Sequence, residues 1–396
     1  MSCRYKCYTL QELVNIKYGK NQKKVQDNEK GKYPIYGTGG LMGYAKEFLY
    51  DKPSVLIGRK GSISKVKYVE HPFWTVDTLF YTEVNEKIVI PKYLYYRMSI
   101  IDLSNYNEGT TIPSLRTDTL NRIEFKIPSI EEQKIIVSML DSLDKKIELN
   151  NEMNKTLEEM AQALFKRWFV DFEFPNEDGE LYKFSGGEMV ESEVGMIPKG
   201  WDVKPLYDIA EYINGTSFKA KDYCDKGLPI IKIAELKNGI TNSTNFFQGE
   251  KDNKFYLKNR DILFSWSGNP DTSIDVFIWY KGEAILNQHI FKVVPNDEFG
   301  YCYTYILLKS LKSTFANIAR NKQTTGLGHV TVKDLKELKI AVDSEKIKEF
   351  NLVLQPIINN IISNYSSLEI LTELRDSLLP KLMSGEIRVE DIEANL

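Results

Sequence analysis

The 396-residue sequence is poor in the residues that build metal sites, disulfide frameworks and membrane spans. Its four cysteines, Cys3, Cys7, Cys224 and Cys302, include no Cys-x-x-Cys pair, and the three histidines, His71, His289 and His329, lie far apart. No zinc or disulfide framework is readable from such spacing. Met1 to Leu10 lacks the apolar stretch of a secretory leader, and no run approaches the roughly 18 apolar residues that span a bilayer. The expected setting is therefore cytoplasmic and thiol-reducing, with no membrane association.

Net charge is also scarce, at -3 from 52 Lys+Arg against 55 Asp+Glu. That argues against a uniformly basic nucleic-acid binder, but the total is a cancellation. Residues 1–70 carry 14 Lys/Arg and 6 Asp/Glu, a net of +8, whereas residues 131–200 carry 8 and 16, a net of -8. A basic segment suits a phosphate backbone, whose counterions are released on binding; it equally suits an ordinary lysine-rich surface. With 42% hydrophobic and 12% aromatic residues the chain is not disordered. Its length suggests two or three domains at roughly 150 residues each.

Catalytic groups are missing as well. There is no GxxxxGK[ST] phosphate loop and no GxGxxG after a strand. An Asn-Pro-Pro-aromatic tetrapeptide, of the kind that holds a flipped adenine, is absent; Asn269-Pro270-Asp271 comes nearest. Asp118 with Glu124 and Lys126 loosely fits a metal nuclease. In an alternating strand, however, Glu124 and Lys126 are simply the solvent face, and the corresponding position of the second half carries Lys339. The chain reads as a binder.

What is present is an internal duplication with a period of about 200 residues, the pattern that decides architecture before any other. Leu10, Leu13 and Gly19 match Leu206, Ile209 and Gly215. Ser54 to Gly58, then Gly61, resembles Asp261 to Ser265, then Gly268. Leu120, Ile123, Phe125 and Ile127 fall on Leu335, Leu338, Ile340 and Val342. Each half opens with short strands and Gly-rich turns, among them Gly37-Thr38-Gly39-Gly40. The runs 54–57, 63–69 and 78–84 read as strands, and Tyr93 to Ile101 and Tyr303 to Leu311 as short helices with buried tyrosines.

Each half closes on a long helix. Ser129 caps a helix with Glu131 and Glu132 in its first turn, running to about Val170. Its apolar pattern includes Leu140, Leu143, Ile147, Asn150, Asn154, Leu157 and Leu164. The second helix starts near Ser344 and repeats the pattern with Leu354, Ile357, Ile361, Asn364, Leu368 and Leu371. At 1.5 Å per residue, helices of some 40 residues are about 60 Å long. Asn150 and Asn364 occupy equivalent seam positions, where a buried Asn fixes register. The expected arrangement is antiparallel pairing with the β-containing halves at opposite ends; the alternative is that each helix folds back on its own half. Pro356 is expected to kink the second helix or delay its start.

The motifs resemble the specificity subunit of type I restriction-modification enzymes across essentially the whole chain. The likeness rests on Asn-Glu-Gly-Thr-Thr-Ile-Pro-Ser-Leu at 107–115, Ile-Glu-Phe-Lys-Ile-Pro-Ser-Ile-Glu-Glu-Gln-Lys-Ile-Ile at 123–136 and Leu-Phe-Lys-Arg-Trp-Phe-Val-Asp-Phe-Glu at 164–173. Gly-Met-Ile-Pro-Lys-Gly-Trp at 195–201 and Leu-Arg-Asp-Ser-Leu-Leu-Pro-Lys-Leu-Met-Ser-Gly-Glu-Ile at 374–387 extend it. The resemblance implies an α+β chain with two tandem target-recognition domains, at 1–128 and 201–343, and two long antiparallel coiled-coil spacer helices, at 129–170 and 344–382. An acidic linker at 171–200 and a C-terminal tail at 383–396 complete it. It also implies double-stranded DNA as ligand, two methylation subunits and restriction or motor subunits as partners, and no cofactor on this chain. S-adenosylmethionine, ATP and magnesium are then expected on the partners.

Base readout needs donors and acceptors on loops, and phosphate contacts need cations beside glycine or hydroxyl turns. In the first half the candidates are Lys23, Lys24, Thr38, Arg59, Lys60, Ser62, Asp77, Thr110 and Thr111. In the second half they are Ser265, Trp266, Ser267, Asn269, Asn287, Gln288, His289, Arg320, Lys322 and Gln323. Trp266 is a candidate base wedge or a core residue. Two other classes compete with a DNA-specificity subunit: a nuclease using Asp118, Glu124 and Lys126, and a protein-only scaffold.

Overall fold

The structure, a computed structural model, describes residues 5–323 and 327–387. Cys3 and residues 388–396 of the expected tail lie outside the described residues. The chain divides into two compact units, residues 1–146 with 371–396, and residues 147–370.

In the first unit the strands β1 (Val14–Tyr18), β2 (Ser54–Gly58), β3 (Val66–Val69) and β4 (Leu79–Val84) form a sheet in the order β1-β4-β2-β3. Every residue of β2 is buried, as suits the centre of a sheet covered on both faces. A second, three-stranded sheet holds the hairpin Tyr33–Gly37 with Gly40–Ala45 and the short strand Trp74–Thr75. The strand Lys6–Thr9 pairs antiparallel with Glu124–Ile127. Phe125 and Ile127 of that pair are buried while Glu124 and Lys126 are exposed, the alternation of a half-covered strand.

The second unit repeats this plan. Its strands β5 (Ala210–Asn214), β6 (Ile262–Ser265), β7 (Asp275–Ile278) and β8 (Ile290–Pro295) stand in the order β5-β8-β6-β7, the same permutation. Asp202–Pro205 pairs with Lys339–Val342 as Lys6–Thr9 pairs with Glu124–Ile127. The duplicated glycines have one physical reason. A Cβ on Gly19 would lie 2.0 Å from the Val76 carbonyl oxygen, and one on Gly215 would lie 2.1 Å from the Asn287 carbonyl oxygen. In both units the first strand leaves the sheet so close to another backbone that only glycine fits. The short helices Pro91–Ser99 and Tyr301–Ser310 bury Tyr93, Tyr303 and Tyr305 in their cores.

The first long helix is α-helical over Ile130–Phe165 and continues as a π turn over Lys166–Val170. The second runs from Ser344 to Ser384 without interruption. Pro356 therefore does not delay its start. Within the second unit the helical segments pack antiparallel, with Phe165 beside Phe350 and Asn154 beside Asn364. The two asparagines that meet across the seam are thus Asn154 and Asn364. Asn364 Nδ2 donates to Asn154 Oδ1 at 2.9 Å, and Asn154 Nδ2 donates to the Ile361 carbonyl at 3.3 Å. Asn150 is buried one turn away, and its amide nitrogen has no hydrogen-bond partner among the described residues. Asn150 and Asn364, equivalent in the repeat, are not the two that meet, because an antiparallel pair runs one helix against the direction of the other. Leu140, Leu354, Ile361 and Leu368 are buried, whereas Leu143, Ile147, Leu157, Leu164, Ile357 and Leu371 are half-buried; Ile358 takes the fully buried place next to Ile357. No helix among the described residues is long and apolar enough to cross a membrane.

A polar cluster ties helix to sheet in the second unit. The Glu158 carboxylate accepts the Tyr305 hydroxyl at 2.8 Å and lies 3.7 Å from the Lys309 ammonium. Lys309 also pairs with Asp275 at 3.2 Å, and Lys312 adds a second cation there. Burial works to raise the Asp275 pKa, but the charge of Lys309 and the hydrogen bond from Lys312 outweigh it and hold the carboxyl below its ordinary value. A depressed carboxylate contributes stability above its unfolded pKa and loses it as pH falls through the folded one.

Two outcomes are expected. Gly19→Ala and Gly215→Ala should each cost about 2–4 kcal/mol of stability, whereas Gly39→Ala, with nothing within 4 Å of the added carbon, should change little; denaturant melts read this directly. Acidification below about pH 4 should destabilise the second unit, and Lys309→Met should shrink that acid-dependent loss in melts followed against pH.

Candidate nucleic-acid interface

In the first unit, β2 ends at Gly58 and the chain turns sharply through Arg59-Lys60-Gly61-Ser62. Gly61 sits at φ +86, where a side chain would be strained. The backbone N–H groups of Arg59 and Lys60 donate to the Thr78 carbonyl, and the Arg59 guanidinium donates to the Asp77 carbonyl at 2.9 Å. The guanidinium also lies 5.1 Å from the centre of the Tyr18 ring. It is thus held by two contacts, with much of its donor fork unspent.

A second loop closes on this turn. Gly61 N–H donates to the Pro113 carbonyl, Leu115 N–H donates to the Arg59 carbonyl, and Lys60 bridges to Ser114. Asn107 braces that loop through its side chain, which accepts from the N–H groups of Gly109 and Ser114. Thr110 and Thr111 are exposed on it, and Thr38 of the glycine turn faces Gly61 from the other side. Thr38, Arg59, Lys60, Ser62, Asp77, Thr110 and Thr111 therefore gather at one end of the sheet. Lys23 and Lys24 are exposed on the turn that follows Gly19 and Lys20, and Lys20 N–H bonds the Thr75 carbonyl near Asp77. Lys23, Lys24 and Lys60 make no ion pair among the described residues.

The second unit builds the same junction from different chemistry. Val330 N–H donates to the Trp266 carbonyl as Leu115 N–H does to Arg59. Ser267 pairs with His329 as Lys60 does with Ser114. Gly268, at φ +119, stands where Gly61 stands. Trp266 is half-buried, packs on Phe291 and His289, and donates its indole N–H to Asn214 at 3.1 Å. These contacts hold the indole in one place. Ser265 leaves the candidate set: it is fully buried and its hydroxyl donates to the Ser273 carbonyl at 2.6 Å. Asn287 is largely buried, and Asn269 spends its side-chain oxygen capping the N–H groups of Asp271 and Thr272.

Gln288 and His289 are exposed side by side, 3.2 Å apart. Arg320 is paired with Asp271 at 2.5 Å, and Lys322 with Asp334, so both cations are largely neutralised. Gln323 is exposed. The sequence reading missed Tyr18 and His329. The second was legible from the duplication, since the offset of 215 that aligns the closing strands also places His329 on Ser114. No group of three or more His, Cys, Asp or Glu side chains among the described residues is placed to hold a metal ion.

Two tandem copies of one sheet-and-loop module, each closed by long helical segments, are matched by one family. The sequence fits the model of the type I restriction modification DNA specificity domain over residues 4–159 and 198–379. The chain belongs to this family. It is 30% identical over 360 residues to the type I restriction enzyme MjaIX specificity subunit of Methanocaldococcus jannaschii, covering 87% of this chain and 80% of that one. Identity to the HindI specificity subunit of Haemophilus influenzae is 26% over 379 residues, covering 79% and 81%. The crystal structure of a type I restriction-modification system S subunit from M. genitalium shares the fold, with a TM-score of 0.59 over 96% of each chain at 18% identity.

The two junctions should respond differently to substitution. Lys60→Ala should weaken duplex binding evenly across sequences and lower the salt slope of log affinity by about 1. Arg320→Ala, whose cation is already paired with Asp271, should change that slope by well under half as much. Binding titrations over a range of salt concentrations measure both.

Proposed function

We propose that this chain is the DNA sequence-specificity subunit of a type I restriction-modification complex, with each recognition domain reading one part of a bipartite, asymmetric site. The observation that carries the reading is the repetition of one loop junction with non-identical chemistry. Arg59-Lys60-Gly61 in the first unit becomes Trp266-Ser267-Gly268 in the second, on the same scaffold and with the same bracing hydrogen bond. Two copies of one reader with different side chains recognise two different half-sites, which makes the site asymmetric.

In this reading residues 1–128 and 201–343 are the recognition domains, and the helices at 129–170 and 344–382 set the spacing between half-sites and dock two methylation subunits. A helix of 36 residues is about 54 Å long and one of 41 about 62 Å, enough for half-sites roughly 34–36 Å apart. The chain itself is non-catalytic. Adenine methylation with S-adenosylmethionine falls to the methylation subunits, and ATP- and magnesium-dependent cleavage to restriction subunits, in the cytoplasm. Against a self-contained nuclease, Glu124 and Lys126 sit on the exposed face of their strand, and the cleft they line with Cys7, Arg97 and Met383 does not include the exposed Asp118.

The spacing role has a direct test. Inserting four residues, about one helical turn or 6 Å, into both 143–157 and 357–371 should lengthen the unread spacer between half-sites by one or two base pairs. Sequencing the methylated sites in cells expressing the variant with its methylation partner reads the spacer, and an unchanged length would sink the idea.

A further inference from the structure

Both units hold one large apolar side chain out into solvent at the same place. Ile112 is 60% exposed in the first, and Leu327 is 60% exposed in the second. Their numbers differ by 215, the offset that also relates Leu115 to Val330 and Ser114 to His329. A single exposed apolar residue needs no explanation. The same one, repeated beside the same junction in a duplicated chain, does.

The first loop is not slack. Asn107 accepts from Gly109 and Ser114, Glu108 N–H donates to the Ser114 carbonyl, and Gly61 N–H takes the Pro113 carbonyl next to Ile112. A Cβ on Gly109 would meet the Ile112 carbonyl oxygen at 1.9 Å, so the loop is as tight as glycine allows. Ile112 therefore projects from a rigid base, one residue away from the backbone that braces Arg59 and Lys60. In the second unit Leu327 precedes Gly328, which pairs with Gly268 and lies against the Ala319 carbonyl. A ring lines each rim: Tyr18 beside the Arg59 guanidinium in the first unit, and Trp266 beside the His289 ring in the second.

We propose that Ile112 and Leu327 are matched DNA wedges, each pushed between two stacked base pairs of its own half-site, unstacking one step and kinking the duplex there. The proposal rests on the DNA-specificity reading and adds the deformation to it. The occupant is duplex DNA because Lys60, which lacks an ion pair and whose backbone pairs with Ser114 two residues from Ile112, complements phosphate, and an exposed aliphatic side chain is a usual tool for opening a base step. Holding the wedge rigid lowers the ordering entropy of insertion. Because deformation energy depends on the step deformed, each wedge also selects flexible pyrimidine–purine steps without hydrogen-bonding their base edges.

The test uses the full chain assembled with its methylation partners and duplexes carrying the methylated site found in cells, with 2-aminopurine replacing one adenine at a time at every position except the methylated adenines, which the methylation subunits draw out of the stack themselves. Wild type should raise the fluorescence severalfold at one step in each half-site. Ile112→Ala should abolish the rise in one half-site only, and Leu327→Ala in the other only, with binding weakened roughly tenfold in each case, about 1.4 kcal/mol. Both residues are exposed, and unchanged thermal melts would show that the variants fold. Tight binding without any rise, or a rise that survives the substitutions, overturns the wedges. A loss of affinity on replacing a thymine by deoxyuridine that equals the loss from Ile112→Ala, again without a rise, overturns them in favour of a methyl contact in the major groove. Failure of the wild-type assembly to prefer its site over unrelated duplex overturns the DNA reading itself, and the wedges with it.

Discussion

Pairing of helical segments from distant parts of the chain is the interaction on which both units depend. In the first unit Ile136 and Leu140 share a core with Leu382 and Met383, nearly 250 residues later in the sequence. In the second, Ala161 and Phe165 share one with Phe350, Leu354 and Ile361. Neither recognition sheet closes its core with its own helix alone. The first unit is therefore incomplete until the C-terminal end of the second helix is made, and contacts of such large separation carry a heavy loop-closure cost before they are rewarded. The Asn154–Asn364 hydrogen bond contributes little net free energy, but it penalises a slipped register, because a one-turn shift strands two amides in an apolar seam.

A fixed scaffold frees the loops to differ. The strand order, the bracing hydrogen bond, the left-handed glycine and the projecting aliphatic residue are the same in both units. The side chains around them are not. The first junction is cationic and open, with Arg59 preorganised by Tyr18 and by the Asp77 carbonyl; the second is aromatic and amide-rich, its cations Arg320 and Lys322 paired with Asp271 and Asp334. Unpaired positive charge is thus concentrated at the first junction, and the second presents mainly hydrogen-bonding and aromatic groups.

Much of this was legible in the residues because duplication lets a sequence be compared with itself. Gly19 and Gly215, the strand at Phe125 and Ile127, and both long helices follow from periodicity and offset alone. The failures were of two kinds. Ser265 and Trp266 looked like loop readers because a polar and an aromatic residue beside glycine carry no mark of burial; whether a hydroxyl faces solvent depends on what packs above it, here the Ser273 carbonyl and Phe291. The ion pairs of the candidate contacts Arg320 and Lys322 were not legible, because their carboxylate partners lie 49 and 12 residues away in the chain.

Local chemistry, then, determined the elements, their order and the two-fold repetition, since helix periodicity, strand alternation and glycine geometry are properties of neighbouring residues. The tertiary structure alone decided which asparagine meets which, because an antiparallel pair reverses the numbering that a tandem repeat preserves. It also decided which polar groups remain unspent for a ligand. That is a matter of through-space pairing, and a linear sequence holds no record of it.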